Sequence, residues 1–210
     1  QVDRVIEKYN VFIKKYTTIN KLARASQRDV LALWQGLGYN RRALYLQTIA
    51  QQVMSVYDGQ LPNDPAVLQT LPGIGKATAQ SIVAFAFNKP TVFIETNIRS
   101  VFIYFFFRNQ AAVHDNDIEP LVAKALDQKN PREWYYALMD YGVMLKRTVG
   151  NISTASAHYA KQSTFIGSDR QIRGMVLQRL LEAGPTTELE ITESICPDGH
   201  RAEKIVAGLC

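Results

Sequence analysis

Almost every segment of this 210-residue chain repeats its apolar residues at helical spacing, and no segment offers itself convincingly as one half of a strand pair. Apolar residues three and four apart share one face of a helix, whereas a half-buried strand needs strict alternation. Val5, Tyr9, Phe12, Ile13 and Tyr16 fall on one face of a first helix. SQRDVLALWQGL reads as a helix capped by Ser26 and ended by Gly36 or Gly38, and NRRALYLQTIAQQVMSVYDGQLP as another, stopped at Asp58-Gly59. NDPAVLQTLPGIG is a short helix with Asn63 or Asp64 as cap, Pro65 in its first turn and Pro72 closing it. Lys76 to Asn88 is rich in small and apolar residues and reads as a buried helix; NPREWYYALMDYGVMLKRT reads as one capped by Asn130 with Pro131 at its first position. The segment PTVFIETNIRSVFIYFFF has strand-like composition. Without a partner strand it reads as an extended approach followed by a helix that Asn97 could cap. The expectation is an all-α fold.

At 47% hydrophobic and 20% charged residues the chain can bury a core, which argues against disorder. A net charge of +5 favours a polyanionic partner without specifying one. Two cysteines, Cys196 and Cys210, make neither a disulfide framework nor a four-thiolate metal site. No signal peptide and no membrane-length apolar run is present, so the reading is a cytoplasmic, nucleoid-associated protein with no membrane partner. QVDRVIEKY opens in mid-helix without a cap or an initiator Met, and the natural N-terminus is expected upstream of it. VGNISTASAHYAKQSTFIGSDR reads as a loop or linker. The helix signals in RQIRGMVLQRLLEAGPTTELEITESI and DGHRAEKIVAGL resemble a small helix-turn-helix or winged-helix unit whose wing is missing.

Two features carry chemistry. Gly73-Ile74-Gly75-Lys76 is a glycine turn feeding a helix. Such a turn leaves backbone N–H groups unpaired at the positive end of a helix dipole, suits a phosphate, and gains a point charge from Lys76. Glu95 is a carboxylate in an otherwise apolar segment, with Thr96, Asn97 and Arg99 behind it. Keeping an acid there is costly unless it is used, or unless it pairs with Arg99 on the next turn of the same helix.

LPGIGKATA resembles the helix-hairpin-helix DNA-binding element, and the likeness runs on. WQGLGYNRRALYL, QVDRV, FIETNIRSVF and YALMDYGVMLK resemble, in order, segments of the helix-hairpin-helix DNA glycosylase superfamily, and within it the endonuclease III-like A/G-mismatch adenine glycosylases. The resemblance implies a two-lobed helix-hairpin-helix DNA glycosylase fold: residues 1–89 a helical barrel lobe carrying the hairpin, 90–165 a second helical lobe, and 166–210 the winged-helix-like segment. It implies a monomer acting on double-stranded DNA with a mismatched or damaged base. DNA contacts would come from Leu71, Gly73, Ile74, Gly75, Lys76 and Thr78, and from Gly38, Tyr39, Asn40 and Arg41.

By the same resemblance Glu95 takes the place of a catalytic aspartate, stabilising the positive charge that builds on the sugar as the glycosidic bond breaks. Asn97 would orient it or contact the DNA backbone. Ala77 stands where strand-nicking relatives carry a lysine, so no Schiff base can form there and a monofunctional glycosylase is implied. The family's second acid, which protonates the departing adenine, would lie before Gln1; Asp3 and Asp140 are conceivable substitutes, although Asp140 reads first as a packing or capping acid. Asn40 stands where relatives often carry a wedging tyrosine, and Tyr39 reads as a core residue. Relatives close their second lobe with a four-cysteine iron–sulfur cluster, but MLKRTVGNISTASAHYAKQSTF holds no cysteine, so no cofactor is expected. Lys146, Arg147 and Lys161 read as backbone contacts or a solvated basic loop, His158 as no metal ligand, and FIYFFF as core. The implied activity is removal of adenine opposite guanine or 8-oxoguanine. A thymine or uracil mismatch glycosylase and a non-catalytic DNA-binding homologue are the rivals.

Overall fold

The computed structural model describes residues 2–195 and 199–208. In chain order the helices are α1 (Val2–Lys15), α2 (Ile19–Ala23), α3 (Gln27–Trp34), α4 (Arg41–Val56), α5 (Pro65–Leu68), α6 (Lys76–Phe87), α7 (Thr96–Phe106), α8 (Asp115–Ala125), α9 (Pro131–Thr148), α10 (Asp169–Ala183), α11 (Glu188–Ile195) and α12 (Gly199–Ala207), with a 3-10 turn at Ile152–Ala155. Among the described residues there is no strand, only an isolated parallel bridge between Val113 and Ser156. The chain forms two compact units, residues 1–59 with 162–210, and residues 60–161. These divisions differ from the lobe limits at 89 and 165 expected from the sequence: the glycine turn and Glu95 fall in one unit.

In the first unit, α4 buries Ala43, Gln47, Ala50 and Val53, a helical stripe. The polar member is satisfied, since Gln47 donates to the Ala25 carbonyl. Ser26 caps α3 by accepting from the Asp29 N–H at 3.1 Å, and its hydroxyl donates back to the Asp29 carboxylate at 2.7 Å. Gly36 and Gly38 then turn the chain with positive φ. The expected apolar face of α1 is only partly used. Phe12 packs edge-on to Tyr16 and Trp34, while Val5, Tyr9 and Ile13 stay exposed. Further along, α10, α11 and α12 enclose Ile172, Val176, Ile191, Ile205 and Val206. Thr187 and Glu190 form a reciprocal cap at the start of α11. Cys196 and Cys210 lie outside the described residues.

The second unit is built around α7. Its core joins Ile98, Phe102 and Ile103 to Phe93, Ile118, Val122 and Tyr135. FIYFFF is therefore core except at Phe105 and Phe106, which are exposed, while Phe107 packs against the cluster. Helix α9 crosses α7 closely: a Cβ on Gly142 would lie 2.6 Å from the Asn97 carbonyl oxygen and 2.7 Å from the Asn97 Cβ. Only glycine permits that approach. Pro131 takes the first position of α9 as expected, but the Asn130 side chain makes no cap bond. The stretch expected to be a plain loop after α9 packs Ile152 and Ala155 against the core and buries Ser153 and Ser156. Between α6 and α7 the chain is extended, and one phenol fastens it. The Tyr135 hydroxyl donates to the Thr91 carbonyl at 2.8 Å and accepts from the Phe93 N–H at 3.3 Å. Burial pushes that phenol up to about 12.

Candidate active site and DNA-binding turn

The turn is built by short-range bonds. The Asp64 carboxylate accepts from the Ala66 N–H at 2.7 Å and starts α5, with Pro65 at its first position. Helix α5 ends at Leu68, before Pro72. The N–H of Leu71 returns to the Leu68 carbonyl and that of Ile74 to the Leu71 carbonyl, with Gly73 at φ 74°. Gly75 sits at the N-cap of α6 in extended conformation and supplies no side-chain cap. The first N–H groups of α6 are therefore left for an outside acceptor, and Gly73, Gly75, Lys76, Ala77 and Thr78 are exposed there. Leu71 is buried, and its side chain belongs to the core. Lys76 makes a 3.1 Å ion pair with Glu119 of α8, both side chains being well exposed. An exposed pair of this kind contributes about 0–1 kcal/mol and is readily exchanged for a phosphate.

Glu95 is the N-cap of α7. One carboxylate oxygen accepts from the N–H groups of Asn97 and Ile98 at 2.7 and 2.8 Å, and the other lies 3.4 Å from the Asn97 amide nitrogen. Asn97 was the expected cap; it sits inside the first turn and supports the acid that caps in its place. Burial pushes the Glu95 carboxyl above its ordinary value, outweighing the two backbone N–H bonds, the Arg99 charge and the Asn97 amide, all of which pull it down. The alternative of an ion pair between Glu95 and Arg99 is not realised. Arg99 instead binds both oxygens of Asp115, at 2.6 and 2.8 Å, and holds that carboxyl below the usual range. Glu95 and Asn97 are thus brought together with Arg99, Asp115 and Gly142. Asp115 has no direct signal in the sequence, since Pro120 interrupts the pattern of α8, and Gly142 stands inside the YALMDYGVMLK motif.

The second expected DNA-contact group belongs to the other compact unit. Gly38 accepts from the Trp34 indole at 3.1 Å, and the Arg42 guanidinium lies over that indole ring. Tyr39 is 63% exposed with φ 49°, so it is not a core residue, and its hydroxyl accepts from Gln162 at 2.8 Å. Asn40 precedes α4 without a side-chain cap bond, and Arg41 is exposed at the first position of that helix. Asp140 is exposed on α9, so it neither packs nor caps, and the side chain of Asp3 lies outside those described. Lys146, Arg147 and Lys161 are exposed.

An iron–sulfur cluster does not fit this chain. The segment after α9 offers no thiol, and two cysteines cannot supply four ligands. Among the described residues no cluster of three or more metal-binding side chains occurs, and no helix is long and apolar enough to cross a membrane.

The profile of the HhH-GPD superfamily of base excision DNA repair proteins matches residues 1–127. The adenine DNA glycosylase of Buchnera aphidicola subsp. Baizongia pistaciae is 34% identical over 149 residues, covering 69% of this chain but 42% of that protein. The adenine DNA glycosylase of Mycolicibacterium smegmatis is 28% identical over 209 residues, covering 90% of this chain and 71% of that protein. Among solved structures a thermostable thymine-DNA glycosylase superposes with a TM-score of 0.59 at 23% identity, covering 67% of this chain and 66% of that one. That last likeness establishes the fold.

Proposed function

Because this chain belongs to the HhH-GPD superfamily of base excision DNA repair proteins, we propose that it is a monofunctional DNA N-glycosylase that removes adenine mispaired with guanine or 8-oxoguanine. The observation that carries the reading is the state of Glu95, a half-buried carboxylate fixed by two backbone N–H groups and left without a cationic partner. Its unit also holds a glycine turn whose helix start is uncapped.

In this reading the turn at 71–78 takes a backbone phosphate through the free N–H groups of α6, and Lys76 exchanges Glu119 for the same anion. Gly38, Tyr39, Asn40 and Arg41 form a second backbone contact. The target nucleotide leaves the stack at a cost of a few kcal/mol. The bond from C1′ to the base nitrogen then breaks, its electron pair leaving with the base. Positive charge on the sugar is stabilised by the Glu95 carboxylate. Water adds to C1′ and the proton it loses ends on the departed base, giving an abasic site and the neutral base. Asn97 holds the acid through its backbone N–H and its amide. Ala77 provides no amine, so the strand is not nicked.

The kinship of fold with a thymine-DNA glycosylase favours one second reading, thymine or uracil excision opposite guanine. Glutamate in place of the family's aspartate favours a DNA-binding homologue without catalysis. One assay separates the three: duplexes with single mismatches are incubated with the protein, treated with alkali and scored for strand breaks. Breaks at adenine opposite 8-oxoguanine support the proposal, and breaks at thymine or uracil opposite guanine support the second reading. Gel-shift binding without breaks rules out the enzymatic reading.

A further inference from the structure

Arg99 lies four residues after Glu95, and on a regular helix its side chain leans back toward the N-terminal turn that holds the acid. A guanidinium in that position is the natural ion-pair partner of Glu95. It is drawn elsewhere: its Nε and one terminal nitrogen donate to the two oxygens of Asp115, at 2.6 and 2.8 Å. The pair is sheltered, with 14% of the Arg99 side chain and 32% of the Asp115 side chain exposed. Asp115 is the first residue of α8, at whose start the Asp117 carboxylate accepts from the His114 N–H at 3.3 Å. The charged and titratable groups facing Asp115 are Arg99 from α7, His114 beside it, and His158 from the segment after α9. The Asp115 N–H donates to the His158 ring at 3.4 Å, and the His158 Nε2 lies 4.0 Å from the Asp115 carboxylate. Arg99 is the charged group that acts on Glu95.

We propose that Asp115 is a positioning residue for the reaction: its two-pronged hold on Arg99 keeps that cation from closing on Glu95, so the catalytic carboxylate stays available to the sugar. A cation seated on Glu95 would cancel the negative charge and repel the positive charge forming at C1′. This rests on the reading of Glu95 as the charge-stabilising acid.

The test uses the full chain and two readouts. The Glu95 carboxyl is titrated by carbon-13 NMR, and abasic-site formation is measured in single turnover on a duplex with adenine opposite 8-oxoguanine. In Asp115→Asn the released guanidinium approaches Glu95, so its titration moves to lower pH than in the wild type, and the rate falls about tenfold or more. In Arg99→Gln/Asp115→Asn no buried charge is left unpaired. Its titration moves above that of the wild type, and most of the lost rate returns. A purely structural role for Asp115 would produce neither the opposite movements nor the recovery. The proposal is overturned if the Glu95 titration is unmoved in Asp115→Asn, or if the double variant does not reverse it. It is also overturned if Asp115→Asn loses its fold while the double variant keeps it, since the pair then serves stability alone. Glu95→Gln separates this proposal from the one beneath it: wild-type rates there remove the catalytic assignment whatever the titrations show. An inactive Glu95→Gln with an unmoved Asp115→Asn titration removes the present inference only.

Discussion

Two helix starts in the same compact unit treat the same problem in opposite ways. Every helix begins with N–H groups that lack partners. At α6 they are left open, because Gly75 has no side chain to offer. At α7 they are closed by Glu95, which spends one carboxylate oxygen on two of them. The open start suits an anion that arrives from outside. The closed start already contains its anion and uses the helix to hold it still, so that the second oxygen faces a task other than capping. The contrast teaches that a phosphate grip and a fixed acid need little machinery beyond the choice of side chain at one position.

The largest effect should come from emptying the closed start of its charge. Glu95→Gln keeps an oxygen for the two N–H groups but loses the negative charge, and single-turnover cleavage should fall about a hundredfold or more. The same variant has a thermodynamic signature. Burial raises the folded-state proton affinity of Glu95, so its ionised form is relatively disfavoured by folding. The stability linked to this group is present below the ordinary glutamate value of 4.5 and is lost as pH rises through the raised one. Thermal melts should therefore show Glu95→Gln gaining on the wild type at neutral pH, with the gain vanishing in acid.

Next in size is Gly142→Ala. A methyl group there meets the Asn97 backbone at distances no real contact shows, so α9 must move or α7 must shift. Denaturant unfolding should register a loss of about 1–3 kcal/mol, and because Asn97 is bonded to Glu95, the cleavage rate should fall even where the variant is fully folded. An unchanged rate in the folded variant would show that the acid is seated independently of α9.

The smallest effects belong to the open start. Lys76→Ala should weaken binding evenly across DNA sequences and reduce the slope of log affinity against log salt by about one. Gly75→Ser fills the vacant cap, and no atom lies within 4 Å of the added Cβ. It should raise stability by a few tenths of a kcal/mol while weakening DNA binding, as read by melts and by fluorescence anisotropy. Tighter binding in that variant would mean that the N–H groups of α6 do not meet the phosphate.

The glycine turn was legible because its conformation is local: Gly73 needs a positive φ and Asp64 announces the start of α5. Ser26 as a cap and Asp58-Gly59 as a stop were legible for the same reason. The role of Glu95 as a cap was not. Glutamate is an uncommon N-cap and asparagine two residues on is a favoured one, so residue preference pointed to the wrong side chain. Pro120 interrupts the helical pattern of α8, and its key acid acts through a partner sixteen residues away in sequence. Tyr39 reads as core on its chemistry, but it follows the turn at Gly36 and Gly38 with a positive φ and is exposed. Of these only the hold of Asp115 on Arg99 is a tertiary relation; the Glu95 cap and the Tyr39 turn are local, and residue preference alone does not reveal them.

The phenol of Tyr135 has a consequence for motion. One oxygen atom rivets the extended chain before Glu95 to α9 at two backbone points, so that segment cannot lift unless α9 lets go of it. Deuterium should reach the Phe93 amide only when the helix behind it breathes. The Phe93 amide and the amides of α9 around Tyr135 should then exchange at matching rates.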